Sequence, residues 1–476
     1  MRSVTALTAF EGSYYGFLDG LPTLYRWDGA ADWTLVKQIS QNGEAHAIAV
    51  YDGHLFVAGN FWNTSVVYGG NPGSLIAEYF AIAMVDLDAG VLVPTLGPCE
   101  GGNDCGTVET LLVVEDGSPL DGAWFGGSGL LGIDTGIVGR IVKIDADTYG
   151  SEVPLALGID AQGVPGMDGV LVVEALAIGV DPDPAAAPGE LTLVAGGAFA
   201  EEGTFGVARY HLSAGWLDSD ADGWVGVEAG LPWEDRCPPD AGPFAGVCVN
   251  SNVLGVAFFQ DELYVAGTFS GAWAGDNGDG DLMNDHIDVP ALATWNGSDW
   301  GTIEDADLAV LGGISEGYSG LLADGDDVLY LLNPHEFVTP ATSAGICAWD
   351  GVDVTSLQGG VQVQDGLLDT GPGWLASAYL DGDHSLLLGG PFTWVGWPET
   401  VEAAGNLILS PGIARFDPAA VCPADLTGDE AVNAQDLALL LSQWGLSAPE
   451  GGDLDGDGSV NAPDLAILLS VWGDCG

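Results

Sequence analysis

Near the C-terminus, oxygen-bearing side chains recur at the spacing of a cation-wrapping loop, and they do so twice. Asp425, Thr427, Asp429, Asn433 and Asp436 fall at positions 1, 3, 5, 9 and 12 of one loop. Asp453, Asp455, Asp457, Asn461 and Asp464 repeat the pattern 28 residues later. Ala431 and Ser459, at position 7, offer backbone carbonyls. A short turn that aims this many oxygens inward suits a hard divalent cation, and calcium above all. Gly458 stands where the second loop needs a positive φ. In the first loop Thr427 replaces an acid and Glu430 stands in the glycine position, so this site is expected to bind more weakly.

An apolar helix is expected after each loop. Leu437, Leu440, Leu441 and Trp444 lie at i, i+3, i+4 and i+7, and Leu465, Leu468, Leu469 and Trp472 repeat them. Each set predicts one apolar face, and two such faces can pack together. A unit this small has little core, so metal binding is expected to supply folding free energy.

Residues 422–475 resemble the type I dockerin family in having two loops, two helices and this spacing. The resemblance implies a small α-helical, EF-hand-like calcium module that docks onto cohesin modules of a scaffold or cell surface. Well-studied members grip cohesin with a Ser-Thr pair before the last loop acid and with basic helix residues. Here Ala434–Gln435 and Ala462–Pro463 occupy those places, and the helices carry no Lys or Arg. The alternative is a calcium-stapled end cap or surface anchor with no cohesin partner.

The rest of the 476-residue chain is of another kind. Sixty-nine acids face only eight Lys and Arg, for a formal net charge of −61. Such a surface repels nucleic acid and anionic membranes. Cysteines bracket short stretches: Cys99 with Cys105, Cys237 with Cys248, and Cys422 with Cys475 around the tail. Three loop-closing pairs point to disulfides in an oxidising, extracellular setting. Cys347 is left over within GICAWDG and is expected as a buried thiol. No transmembrane run is legible. MRSVTALTAFEGSYYG lacks the form of a signal peptide, so a start upstream of Met1 is expected.

Residues 1–420 alternate two motifs. The first is an apolar strand ending in small residues and often Phe: SYYGFLDG (13–20), LFVAGNF (55–61), AWFGGSG (123–129), LVAGGAF (193–199), LYVAGTF (263–269), LYLLNPHEF (329–337) and LLLGGPF (386–392). The second ends in a polar turn: LYRWDG (24–29), AIAMVDLD (81–88), IVKIDAD (141–147), GVARYH (206–211), LATWNG (292–297), ICAWDG (346–351) and GIARFD (412–417). A further strand precedes each first motif, and another follows several second motifs. About four strands per unit, seven times over, predicts a mainly β chain folded as a seven-bladed β-propeller, followed by a dockerin-like domain at 421–476. The body resembles kelch-like secreted propellers in its repeat grammar. Arg26, Lys143, Arg209 and Arg415 share one repeat position, where a structural ion pair with a nearby acid is expected.

Catalytic equipment is not legible. The six histidines (His46, His54, His211, His286, His335 and His384) are scattered through different repeats. HExxH, GxSxG and P-loop motifs are absent. Among so many acids no carboxylate pair stands out for glycoside cleavage. Two acidic insertions either bind calcium or are solvated turns: Asp218, Asp220 and Asp222 before Gly223, and Asp276 to Asp288. The expected function is therefore non-catalytic: an extracellular propeller that recognises a glycan or surface protein, linked to polysaccharide binding or catabolism and held by its calcium-dependent tail. The alternatives are a polysaccharide hydrolase or lyase recruited by the dockerin, and a purely structural surface protein.

Overall fold

In the computed structural model the described residues are 3–28, 33–66, 75–87, 91–94, 107–131 (not 119), 138–144, 155–157, 172–201 (not 185), 204–211, 224–226, 253–273 (not 268 or 270), 286–288, 292–301 (not 298–299), 320–332, 345–357 (not 353), 361–365, 369–372, 375–380, 384–395 (not 393), 408–409, 412–416, 426, 431–445, 452 and 459–474 (not 471). The chain divides into two compact units. One comprises Met1–Ala378 with Leu388–Ala414, and the other Tyr379–Leu387 with Arg415–Gly476.

Small antiparallel sheets dominate the first unit. The first sheet takes its strands in chain order: Val4–Phe10, Ser13–Leu18, Thr23–Trp27 and Thr34–Gln38. The second (Asn42–Tyr51, His54–Val66, Leu75–Asp86, Val91–Pro94) and the third (Thr107–Val114, Gly122–Leu131, Val138–Ile144, Leu155–Leu157) are built the same way. So are the fourth (Val172–Val180, Leu191–Glu201, Thr204–His211, Trp224–Gly226), the fifth (Val253–Phe259, Glu262–Gly267, Leu292–Trp295, Trp300–Gly301) and the sixth (Gly320–Asp324, Val328–Leu332, Ile346–Trp349, Val354–Ser356). A three-stranded sheet of Ser377–Leu380, Leu386–Gly389 and Ile413–Phe416 follows the same order. In every case the first sequence motif lies on the second strand and the second motif on the third. Short local turns explain this pairing, because they favour neighbours in sequence as neighbours in the sheet.

The core lies in the seams between consecutive sheets. The first strand of each of the first five sheets packs on the first strand of the next. Phe17 and Leu24 of the first sheet meet Ile48, Leu55 and Val57 of the second. Phe56 and Ile82 of the second meet Val108 and Phe125 of the third. Trp124 of the third joins Val173 and Leu193 of the fourth, and Val194 of the fourth joins Leu263 and Trp295 of the fifth. Each large apolar side chain buried this way contributes about 1.5–3 kcal/mol. The two ends of the unit also meet. Ser377 Oγ lies 3.5 Å from Val4 O, across 373 residues of sequence, and Gly389 packs against Val4.

One irregularity recurs. The register of the first strand slips at Val4/Ala6, Ala45/Ala47, Val173/Ala175 and Val253/Gly255, and between the residues paired with Gly126 and Gly127. Thr5, His46, Glu109, Glu174 and Leu254 are the extra residues. Each sits in a β-bulge and is partly exposed, while the residue before it is buried. A bulge turns its extra side chain away from the ladder, so these five positions are set apart from the core.

The second unit contains two helices, α1 (Ala434–Ser442) and α2 (Ala462–Ser470), and a two-stranded ladder of Ala431–Val432 with Gly473–Asp474. Gly445 N–H donates to Val460 O at 2.8 Å. Val432, Leu440, Val460 and Leu468 are buried together, with Leu426, Leu437 and Leu465 packed against them. The two predicted apolar faces thus meet through only part of their width. Leu441, Trp444, Leu469 and Trp472 remain 45% to 51% exposed.

Candidate metal centre

Both expected loops end on a helix start, and in each the Asn backbone N–H donates to the closing acid. Asn433 N–H donates to Asp436 Oδ2 at 2.8 Å, while Asn433 Oδ1 accepts from Gln435 N–H at 2.8 Å. This is a capping box, which satisfies helix-end donors that would otherwise be orphaned. In the second copy Asn461 N–H donates to Asp464 Oδ2 at 2.7 Å, and the Asn461 side-chain amide donates to Ser459 O at 3.0 Å. Thus Asn433 and Asn461, predicted as metal ligands, also order the chain at the loop exit.

Asp436 and Asp464 are 0% exposed. A buried carboxylate needs hydrogen bonds or a counter-charge to offset its desolvation. Residues 416–476 contain no Lys, Arg or His. Each closing acid accepts a backbone N–H, and the oxygen-only donor set is of the kind that fits a calcium ion. Ala431 pairs through its backbone with Asp474, and Ser459 is half-buried. Asp425, Thr427, Asp429, Asp453, Asp455 and Asp457 lie outside the described residues, as do Asp218, Asp220 and Asp222. So do Cys99, Cys105, Cys237, Cys248, Cys422 and Cys475. Among the described residues, no group of three His, Cys, Asp or Glu side chains gathers as a metal cage.

The repeat-locked cations resolve individually, and all four lie on the third strand of their sheet. Arg209 is 1% exposed; Nη1 donates to Asp181 Oδ1 at 2.9 Å, Nη2 to Asp183 Oδ2 at 3.1 Å, and the guanidinium lies 4.6 Å from the Trp295 ring centroid. This is the expected structural pair, extended by a cation–π contact to the next sheet. Lys143 instead lies 5.4 Å over Trp124, while Arg26 and Arg415 are exposed. Cys347 is a free, buried thiol, as expected, and burial pushes its pKa up to about 12.

Sequence reading missed the side chains that join the second and third sheets. Tyr51 Oη donates to Asp121 Oδ1 at 2.7 Å, and Asp52 N–H donates to Glu115. The Tyr51 hydroxyl, then the Gly117 N–H, lowers the Asp121 pKa, with burial opposing. His46 Nδ1 lies 2.6 Å from Glu109 Oε2, and Nε2 lies 3.6 Å from Glu44 Oε2. Burial pulls the His46 pKa down, but Glu109 and then Glu44 more than reverse this and leave it raised. The partners lie 63 residues apart, so spacing alone gave no signal.

No family model matches the chain, and no curated protein matches it. Solved structures similar to it include virginiamycin B lyase from Staphylococcus aureus, at 10% identity and a TM-score of 0.39, covering 82% of this chain and 92% of that one. The computationally designed protein Ika8 is similar at 12% identity and a TM-score of 0.37, covering 82% and 81%. YjhT is similar at 12% identity and a TM-score of 0.32, covering 70% and 90%. Among the described residues, no helix is long and apolar enough to cross a membrane.

Proposed function

We propose that this is an extracellular, non-catalytic recognition protein: a seven-bladed β-propeller that binds a glycan or surface protein, tethered by a dockerin-like calcium module. The observation that carries the tether is the pair of wholly buried closing acids, Asp436 and Asp464, each held by the Asn backbone N–H at the same place in two matched loop–helix units. Asp425, Thr427, Asp429, Ala431, Asn433 and Asp436 would hold one ion, and Asp453, Asp455, Asp457, Ser459, Asn461 and Asp464 the other. Calcium supplies charge compensation and loop ordering here. The chain's own part is to cap each helix and to leave Leu441, Trp444, Leu469 and Trp472 facing water. Solvent-facing Leu and Trp at matching positions of two helices suit docking onto a cohesin-like or other surface partner.

The propeller reading is supported by seven motif pairs on adjacent strands, by seams between consecutive sheets and by the return of the chain to Val4. The test is capture on polysaccharides and cell-envelope material, comparing the full chain with one ending at Ala420, with and without calcium. Calcium-independent retention of a polysaccharide by the shorter chain is the expected result. Loss of all binding with the tail would leave the propeller without a recognition role. Polysaccharide cleavage would overturn the non-catalytic reading.

A further inference from the structure

The seams between sheets are not held by the same chemistry. Between the fifth and sixth sheets, the Gln260 side-chain amide donates to Asp326 O at 3.2 Å and Asp350 O at 2.8 Å. Between the fourth and fifth, the Arg209 guanidinium lies over Trp295. Neither donor titrates near neutral pH. Between the second and third, the turn end is tied by Tyr51–Asp121 and Asp52–Glu115, and the opposite end of strand Asn42–Tyr51 is tied by His46.

His46 stands between two carboxylates, which only accept hydrogen bonds. An imidazole ring flanked in this way satisfies both neighbours only when both of its nitrogens carry protons. The two bulges make this contact possible, since His46 and Glu109 are the extra residues of neighbouring first strands. Few other charges intervene. Strand Val4–Phe10, on the other side, has no titratable residue. In strand His54–Val66 the only one is His54, at the turn end, bonded to Asp52 O at 2.7 Å. Glu109 is the only charged residue of its strand.

We propose that His46 is a proton-operated latch: as the imidazolium it bridges Glu44 and Glu109 and closes one end of the seam between the second and third sheets. When it loses its proton, one ring lone pair faces a carboxylate and the two glutamates lose their shared counter-charge. The seam then loosens at the His46 end while Tyr51–Asp121 holds the other. In a chain of net charge −61 the unscreened acids favour this opening.

The test uses the full chain with isotope-labelled histidine. The His46 ring signal should titrate with its midpoint above the ordinary 6.5. Amide exchange in 42–46 and 107–109 should quicken severalfold as pH rises through that midpoint, beyond the ordinary base catalysis measured at 54–57. Glu109→Gln keeps an acceptor but removes the charge, and should bring the midpoint down. A midpoint at or below 6.5, or exchange that tracks base catalysis alone, would overturn the proposal. So would a Glu109→Gln midpoint equal to the wild type's.

Discussion

A Cβ placed on Gly197 would overlap the carbonyl oxygen of Val172 on the neighbouring strand. The same holds for Gly59 against Glu44 O and for Gly127 against Thr107 O. In all three the blocking carbonyl sits two residues before the bulge. The glycine of the first motif is therefore there because the bulge swings a carbonyl into the space that a side chain would fill.

Gly197→Ala should accordingly lower stability by about 1–3 kcal/mol, the usual cost of forced overpacking. Gly320→Ala is the control, because its nearest neighbour is a Leu332 side-chain atom at 3.3 Å, which can move. Denaturant midpoints of the two variants measure the difference. Equal midpoints would remove the bulge explanation.

Removing Arg209 leaves Asp181 buried without its counter-charge. Arg209→Ala should cost about 3–5 kcal/mol. Arg26→Ala, at the same repeat position but exposed, should stay within about 0.5 kcal/mol of the wild type. Thermal unfolding of both variants checks this ordering.

Chelation should abolish the helical signal of residues 421–476 and leave the β signal of the rest, because the calcium proposed for the two loops would supply folding free energy to that segment. Asp457→Ala should weaken calcium binding more than Asp429→Ala, since the first loop already lacks an acid at Thr427. Calorimetric titration of the two variants gives the order, and the reverse order would overturn the ranking of the loops.

Trp444→Ala and Trp472→Ala each remove a half-exposed ring. Together they should reduce capture of the tail's partner by tenfold or more, in keeping with the weight of buried Trp at interfaces. Calcium affinity should not change. Capture unchanged by the double variant would move docking elsewhere.

Cys347 should resist thiol reagents in the folded protein at pH 8, since burial pushes its pKa up to about 12 and keeps the thiolate scarce. It should label promptly in denaturant. Rapid native labelling would mean that the sixth sheet opens.

Much of the strand order was legible in advance. LVAGGAF and GVARYH announce adjacent strands because their apolar periodicity and turn residues are local properties. The helix starts were readable on the same grounds, but the hydrogen bonds that Asn433 and Asn461 make to Asp436 and Asp464 were not. The outward half of the helical faces was not. Leu441 and Leu440 are the same residue type one position apart, and only packing leaves the first exposed and the second buried. Nor does a shared repeat position give Arg209 and Arg26 the same surroundings, since Asp181 lies near one of them alone.

The sequence by itself determined the alternation of strands, the two loop–helix units and the excess of acid, because each follows from spacing or composition along the chain. Only the tertiary structure decided that His46 meets Glu109, that Ser377 meets Val4, and that four Leu and Trp side chains stay outside the core of their unit. Those relationships join residues distant in sequence or divide equivalent ones, and they depend on which surfaces come together once the sheets and helices have packed.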